Sequence, residues 1–249
     1  MRRIPIEICV EGIDGLVAAH EAGGDRVELC ASLLEGGLTP SMGTIRRAKA
    51  LDLVPFHPII RPRGGDFLYS ELEFQTMLDD VAECREIGVA GVVFGCLTAE
   101  GTYDEKRMKA LRDAAGPLST TSHRAFDMTR DPEEAIEALV RCGIDRVLTS
   151  GQRDTALEGI DILARTVKAA AGRIKIMVCG GLDASNIAEV LQRSGADEAH
   201  FAALTTVPSH MGYRNPNVGM GGTAIEREFE LTLTDVGAVR NTIAAARAA

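Results

Sequence analysis

Short apolar stretches alternate with longer helical patterns along the whole chain, and this alternation is the feature that most constrains its fold. The candidate strands cover residues 4–10, 26–29, 54–60, 91–94, 118–122, 146–148, 174–178 and 198–201. Helical patterns follow near 14–22, 41–51, 70–87, 104–114, 132–141, 155–171 and 185–194. Alternating strands and helices predict a parallel sheet covered by helices. Eight such units predict closure into an α/β fold of the (β/α)8 TIM-barrel type.

The main rival fold is an open, doubly wound sheet. That fold would favour fewer strands and a glycine-rich G-x-G-x-x-G turn after the first strand, whereas the turn here reads Val10-Glu11-Gly12-Ile13-Asp14-Gly15. A length of 249 residues suits one barrel domain spanning 1–249. Residues 203–233 are expected to form a long loop over the barrel mouth that leads to a C-terminal helix near 234–247.

Charge and cysteine usage exclude several classes of protein. The formal net charge of -9 argues against nucleic acid or an anionic membrane as the main partner. No apolar run approaches the roughly 20 residues of a membrane-spanning helix. The six cysteines are dispersed without a C-x-x-C pair, which excludes a zinc finger and favours reduced thiols in a cytoplasmic protein.

Active residues of a parallel barrel lie at the carboxyl ends of its strands, so polar residues on the strands are informative. Side chains alternate between the two faces of a strand. On the first strand Ile8 is expected to face the helices, while Glu7 and Cys9 point into the barrel. On the second strand Glu28 and Cys30 are expected to point inward.

Five polar residues are therefore expected at the mouth: Glu7, Glu28, Arg61, His123 and His200. Because a buried carboxylate needs a partner, the two glutamates opposite Arg61 predict a salt-bridged network. Histidine is the commonest acid or base near neutral pH, so the two imidazoles favour a chemical site. The alternative interpretation is a structural charge cluster that fills the barrel.

Two loops carry features of anion binding. Arg61 and Arg63 flank a proline just before Gly64-Gly65, which indicates either an anion clamp or a solvated turn. The segment from His123 to Asp127 offers a base, a cation in Arg124 and a carboxylate. In the alternative interpretation Asp127 only pairs with Arg124.

Small residues follow the sixth and seventh strands, as Ser150-Gly151 and Gly180-Gly181. Backbone N–H groups in such turns can hold a phosphate or a carboxylate. Left-handed turns after strands are also common without a ligand, so both interpretations stay open.

The chain resembles the CutC copper-homeostasis family in a set of short stretches that run in order through nearly its whole length. They are Glu28-Leu29-Cys30, Gly36-Gly37-Leu38-Thr39-Pro40-Ser41, Arg61-Pro62-Arg63-Gly64-Gly65-Asp66-Phe67 with Tyr69-Ser70, Gly91-Val92-Val93-Phe94-Gly95, His123-Arg124-Ala125-Phe126-Asp127-Met128, Leu148-Thr149-Ser150-Gly151, Gly180-Gly181, Asn186 and His200. The resemblance implies a (β/α)8 barrel, a homo-oligomer and cytoplasmic copper handling. It further implies Cu(I) ligation by Cys30, with Cys9 on the adjacent strand as a second ligand. Independently of the resemblance, Met211 and Met220 in the last loop offer soft thioether groups to such a site.

Three functions are open at this point. The first is a copper-homeostasis protein that binds Cu(I), with no organic cofactor. The second is an enzyme for a small anionic or phosphorylated metabolite, in which Arg61 and Arg63 hold the anion and His123 or His200 moves protons. In that enzyme Glu7, Glu28 and Asp127 would complete the acid–base set, while Arg124, Ser150, Gly151, Gly180 and Gly181 would bind the anion. The third is a small-molecule binder without catalysis at the same mouth.

Overall fold

Eight parallel strands form one sheet in this computed structural model, which describes residues 3–220 and 227–248. The strands are β1 (Ile6–Glu11), β2 (Arg26–Cys30), β3 (Phe56–Pro58), β4 (Gly91–Phe94), β5 (Ser119–Ser122), β6 (Arg146–Thr149), β7 (Lys175–Val178) and β8 (Glu198–Phe201). Their order is β3-β2-β1-β8-β7-β6-β5-β4. A parallel bridge between Ile59 and Val93 joins the two outermost strands. The sheet thus closes, and the predicted (β/α)8 barrel is confirmed.

Eight α-helices surround the sheet in the described residues. They are α1 (Gly12–Ala22), α2 (Met42–Leu51), α3 (Glu71–Ile87), α4 (Glu105–Ala115), α5 (Pro132–Arg141), α6 (Ile160–Ala170), α7 (Ile187–Ser194) and α8 (Val236–Arg247). Local sequence explains where they begin: the Asp131 carboxylate accepts the N–H groups of Glu133 and Glu134, and Pro132 takes the first helical position. Helix α6 begins later than predicted because residues 150–159 fold over Gly180, whose carbonyl accepts the N–H of Ala156 at 2.9 Å.

The two faces of each strand pack in different environments. Ile6, Ile8 and Val10 are fully buried in the aliphatic layer between strands and helices. Cys9 and Cys30 belong to a separate cluster inside the barrel. The predicted alternation of directions on β1 and β2 is therefore confirmed.

Residues 203–233 differ from the expected loop. They contain an antiparallel hairpin of β9 (Leu204–Pro208) and β10 (Glu230–Thr234), in which pairing satisfies backbone groups that a loop would leave to water. Residues 221–226 lie outside the described residues. The predicted C-terminal helix is confirmed as α8. Among the described helices, none combines the length and the apolar character needed to span a membrane.

Buried ion pairs cross the base of the barrel, at the amino ends of the strands. Arg26 on β2 pairs with Glu7 on β1 and with Glu198 on β8, the latter at 2.6 Å. Arg146 on β6 pairs with the same Glu198 at 2.7 Å and also donates to the Thr121 hydroxyl at 3.2 Å. Since these side chains are at most 13% exposed, each charge depends on its partners rather than on water.

His57 on β3 fills the space beside Gly91 on β4. A Cβ atom added at Gly91 would lie 2.5 Å from the His57 Nε2, so only glycine leaves room for the ring. The imidazole is 3% exposed, and burial lowers its pKa to about 4. His57 is therefore neutral in the folded protein at neutral pH.

We expect Glu198→Gln to destabilise the fold by about 3 kcal/mol, because it leaves Arg26 and Arg146 buried without the carboxylate that they share. Urea denaturation followed by circular dichroism would measure the change. The control is Glu189→Gln, which breaks an exposed pair with Arg193 on α7 and should cost less than about 0.5 kcal/mol. Equal costs for the two variants would contradict a structural role for the base network.

We also expect His57 to make stability depend on pH. The unfolded state takes up a proton near the ordinary pKa of 6.5, but the folded state does so only near 4. The stabilisation is therefore complete above pH 6.5 and is lost as the pH falls from 6.5 to 4. In this window the free energy of unfolding of the wild type should fall more steeply than that of His57→Gln, by about 1.4 kcal/mol per pH unit. Parallel curves for the two proteins would refute the assignment.

Candidate functional site

Three ligand-forming side chains meet inside the barrel where β1 and β2 lie side by side. The strands pair Cys9 with Glu28, which leaves Cys30 one inward position further toward the mouth. The Cys9 and Cys30 sulfurs are 3.9 Å apart, and the Glu28 Oε2 lies 3.3 Å from the first and 3.7 Å from the second. All three residues are buried, and both thiols are free. We call Cys9, Glu28 and Cys30 the thiol cluster; their ligand atoms all lie within 4.8 Å of one another.

His200 on β8 connects the thiol cluster to the base of the barrel. Its Nδ1 lies 2.8 Å from the Glu7 Oε1, and its Nε2 lies 3.7 Å from the Glu28 Oε2. Although burial by itself lowers the pKa of His200, hydrogen bonds to Cys9 and Glu7 raise it well above the usual range. His200 thus places a positive charge directly behind the thiol cluster.

Protonation within the thiol cluster is asymmetric. The hydrogen bond with Cys30 lowers the pKa of Cys9 to about 5, against the effect of burial. The same hydrogen bond raises the pKa of Cys30, and burial raises that of Glu28. Loss of a proton is therefore favoured at Cys9 and opposed at Cys30 and Glu28.

The expected salt bridge between the glutamates and Arg61 is wrong. Glu7 lies at the second position of β1, far below the mouth, and pairs with Arg26. Burial raises the pKa of Glu7, but Arg26 and then His200 overcome this effect and hold it well below the usual range. Arg61 lies beyond the end of β3 and contacts neither glutamate.

Arg61 instead ties two loops together at the mouth. Its Nη1 donates to the carbonyls of Glu35 and Gly37, and its Nη2 donates to the carbonyl of Gly65 at 2.8 Å. Its Nε has no hydrogen-bond partner, although the residue is buried. Arg61 therefore has a structural role and one donor that remains free.

Arg63 is not part of an anion clamp with Arg61. Its side chain is 36% exposed and pairs with Glu73 at 2.7 Å and with Asp66 at 3.1 Å. Glu73 also caps α3 together with Ser70. Through Glu73, Arg63 fastens the loop after β3 to the start of α3. Because two carboxylates already compensate its charge, Arg63 does not need an anion as a partner.

His123 lies just beyond the end of β5, inside the barrel. Its Nδ1 accepts the N–H of Ala125 at 3.1 Å, and its buried Nε2 has no partner. Burial, and then the nearby charge of Arg61, lower its pKa to about 3. The ring lies 4.8 Å from that of Phe67 and fills the space beside Gly95. His123 is therefore a neutral imidazole at the mouth.

Asp127 joins the loops after β5 and β6. Its carboxylate accepts from the Thr149 hydroxyl at 2.6 Å, from the Ser150 hydroxyl at 2.9 Å and from the N–H of Gln152 at 3.1 Å. It also pairs with Arg124 at 2.8 Å. With its oxygens so occupied, Asp127 fits the structural interpretation better than a role as an acid or base.

The remaining predicted anion-binding residues pack against each other. Arg124 donates to the Ser150 hydroxyl at 2.8 Å. Gly151 has a positive φ of 74°, and an added Cβ would lie 2.4 Å from the carbonyl oxygen of Gly159. Gly180 has a φ of 95°, and a Cβ added to it would lie 2.8 Å from the Cβ of Ser150; Gly181 lies against Thr155. The absence of side chains at these glycines lets the 150–159 loop pack closely against the turn after β7.

The sequence interpretation missed several buried residues of the interior. Arg26 shares the inward face of β2 with Glu28, and Glu198 shares that of β8 with His200, so strand alternation could have identified both. Phe67 and Tyr69 belong to the stretches that carry the family resemblance, but they lie in an irregular loop where no periodicity indicates the direction of a side chain. Met211 and Met220 are 58% and 71% exposed, in a segment separate from the thiol cluster.

Comparison with known proteins shows the family of the chain. Residues 4–205 match the CutC family. The chain is 65% identical over 247 residues to a CutC family protein of Mesorhizobium japonicum, covering 99% of this chain and 96% of that protein. It is 43% identical over 242 residues to the human copper homeostasis protein cutC homolog, covering 97% of this chain and 89% of that protein.

Solved structures agree on the fold. A CutC protein of Streptococcus agalactiae superposes with a TM-score of 0.76 at 34% identity, covering 80% of this chain and 98% of that chain. N-(5'-phosphoribosyl)anthranilate isomerase of Pyrococcus furiosus superposes with a TM-score of 0.54 at 15% identity, covering 99% and 100%, and shares the fold alone. From the family match and these identities, the chain belongs to the CutC family.

Proposed function

We propose that this chain is a cytoplasmic copper-homeostasis protein that binds Cu(I) through Cys9 and Cys30. The observation that carries the proposal is the pair of free, buried sulfurs 3.9 Å apart on adjacent strands. Copper homeostasis is also the role named for the human relative. Free thiols throughout the described residues suit a reducing compartment such as the cytoplasm.

The donor set fits a soft ion better than a hard one. Thiolates favour Cu(I), whereas Ca²⁺ and Mg²⁺ require several oxygen ligands and the thiol cluster has only one carboxylate. The Cys9 thiolate would provide the first ligand, and Cys30 would provide the second on losing its proton. Glu28 has one buried oxygen without a hydrogen-bond partner, which leaves it free to take part.

The surroundings supply the charge that such a site needs. Two thiolates around one monovalent ion carry a net negative charge, which is costly in a buried site unless it is compensated. His200 lies behind the thiol cluster, with Glu7 fixing its Nδ1 side at 2.8 Å. This arrangement resembles the outer hydrogen bonds that orient ligands in metal sites.

An acid–base enzyme is less well supported by the same geometry. Glu7 lies in the base network, and Asp127 is occupied by the loops around it. The expected catalytic set is therefore divided between the base, the thiol cluster and the mouth. The copper proposal uses residues that lie together.

We expect the wild type to bind one Cu(I) per chain and both Cys9→Ser and Cys30→Ser to weaken the affinity at least about 100-fold. Each variant removes one of two soft ligands and leaves a nearly isosteric hydroxyl. Anaerobic titration of Cu(I) against a competing chelator would measure the affinity. Sulfur coordination would be checked by X-ray absorption at the copper edge.

Cys179→Ser is the matched control, because Cys179 is also buried inside the barrel but lies outside the thiol cluster. Its affinity for Cu(I) should equal that of the wild type. The proposal fails if all three variants bind equally well. It also fails if Zn²⁺ added at the same free concentration displaces Cu(I) from the wild type.

A further inference from the structure

Three buried hydrogen-bonding groups near the ends of β3 and β5 have no partner. They are the Nε of Arg61, the hydroxyl of Tyr69 and the Nε2 of His123. The residues are only 6%, 4% and 4% exposed. Buried polar atoms in native proteins are nearly always satisfied by the protein, by water or by a ligand. Three of them in one region indicate that something polar binds there.

The charge of Arg61 indicates that the missing partner is negative. In the described part of the chain, no carboxylate oxygen lies within 4.0 Å of its guanidinium, whereas Arg63 two residues later has two such partners. The carbonyls of Glu35, Gly37 and Gly65 orient the group but add no net charge. A buried cation without a counter-ion is costly, so an anion would be favoured beside it.

The two neutral groups can donate hydrogen bonds to such an anion. His123 accepts the N–H of Ala125 at its Nδ1, so its hydrogen lies on the free Nε2. The Tyr69 hydroxyl lies near the Arg61 side chain and, having no partner, can donate as well as accept. All three free groups can therefore donate a hydrogen bond to an oxygen atom of the anion.

Phe67 lies between two of these groups, Arg61 and His123. Its ring centroid lies 5.2 Å from the Arg61 Cζ and 4.8 Å from the centroid of the His123 ring. The carbonyl of Phe67 accepts the N–H of Leu97 at 2.9 Å, which ties this loop to the segment after β4. One small ligand beside this ring would meet a cation on one side and an imidazole donor on the other.

We propose that the mouth of the barrel between β3 and β5 binds a small oxyanion, a carboxylate or a phosphate, through Arg61, Tyr69 and His123. Oxygen atoms of the anion accept from the three free donors, and its charge compensates Arg61. This site does not include the proposed copper ligands Cys9 and Cys30. It can therefore exist whether or not the chain binds Cu(I).

The test is binding of sodium phosphate and of sodium acetate to the purified wild type, each against sodium chloride at equal ionic strength. Isothermal titration calorimetry would measure affinity, and the shift in Tm would report stabilisation. We expect one of the two oxyanions to bind and to raise Tm above the value in chloride. The phosphate and acetate arms identify which oxyanion chemistry the site prefers.

Two conservative variants locate the site. Tyr69→Phe removes only the free hydroxyl, and His123→Asn removes the free Nε2 while its side-chain oxygen can still accept from Ala125. Each should weaken binding about tenfold, the effect of losing one hydrogen bond to a charged group. Tyr103→Phe is the matched control, because that hydroxyl already has a partner in Ser122 at 2.7 Å, and its affinity should be unchanged.

Two results would overturn the proposal. One is an affinity for phosphate and acetate no greater than for chloride, which would mean that water alone satisfies the three donors. The other is an oxyanion affinity that neither Tyr69→Phe nor His123→Asn reduces, with both variants folded by circular dichroism. Either result leaves the copper titration unaffected, so the two proposals can fail separately.

Discussion

The buried ion pairs at the base of the barrel are the constraint on which the interior depends. Glu7, Arg26, Glu198 and Arg146 connect strands β1, β2, β8 and β6 through shared carboxylates. A shift of one residue on any of these strands would turn a charge into the aliphatic layer beneath the helices. The network therefore fixes the register of the strands. That register sets the level along the barrel axis at which each inward side chain lies.

The position of the thiol cluster depends on the ion pairs at the base of the barrel. The Nδ1 of His200 lies 2.8 Å from a carboxylate oxygen of Glu7, and its Nε2 lies 3.7 Å from a carboxylate oxygen of Glu28. Cys9 lies one inward position above Glu7 on the same strand. The two sulfurs thus meet because the strands below them are locked by charge. No flexible loop has to bring the ligands together.

The mouth is built on a different principle. Most of the loop residues that resemble an anion site hold the loops themselves: Asp127 is enclosed by Thr149 and Ser150, and Gly180 is covered by the 150–159 loop. Arg61 also holds loops, but its charge has no counter-ion among the described residues. Arg63 is a structural arginine because carboxylates compensate its charge. Arg61 is a candidate ligand-binding arginine because its charge is not compensated.

The sequence by itself determined the barrel and the direction of its inward residues. Regular alternation on β1 and β2 is enough to place Glu7, Cys9, Glu28 and Cys30 in the interior, because the two faces of a strand meet different environments. Only the tertiary structure decided which charges pair. Partners depend on the stagger between strands distant in sequence, as with Arg26 and Glu198, and periodicity within one strand carries no information about that stagger. For the same reason the sequence placed Glu7 opposite Arg61 at the mouth, whereas the fold holds it at the base.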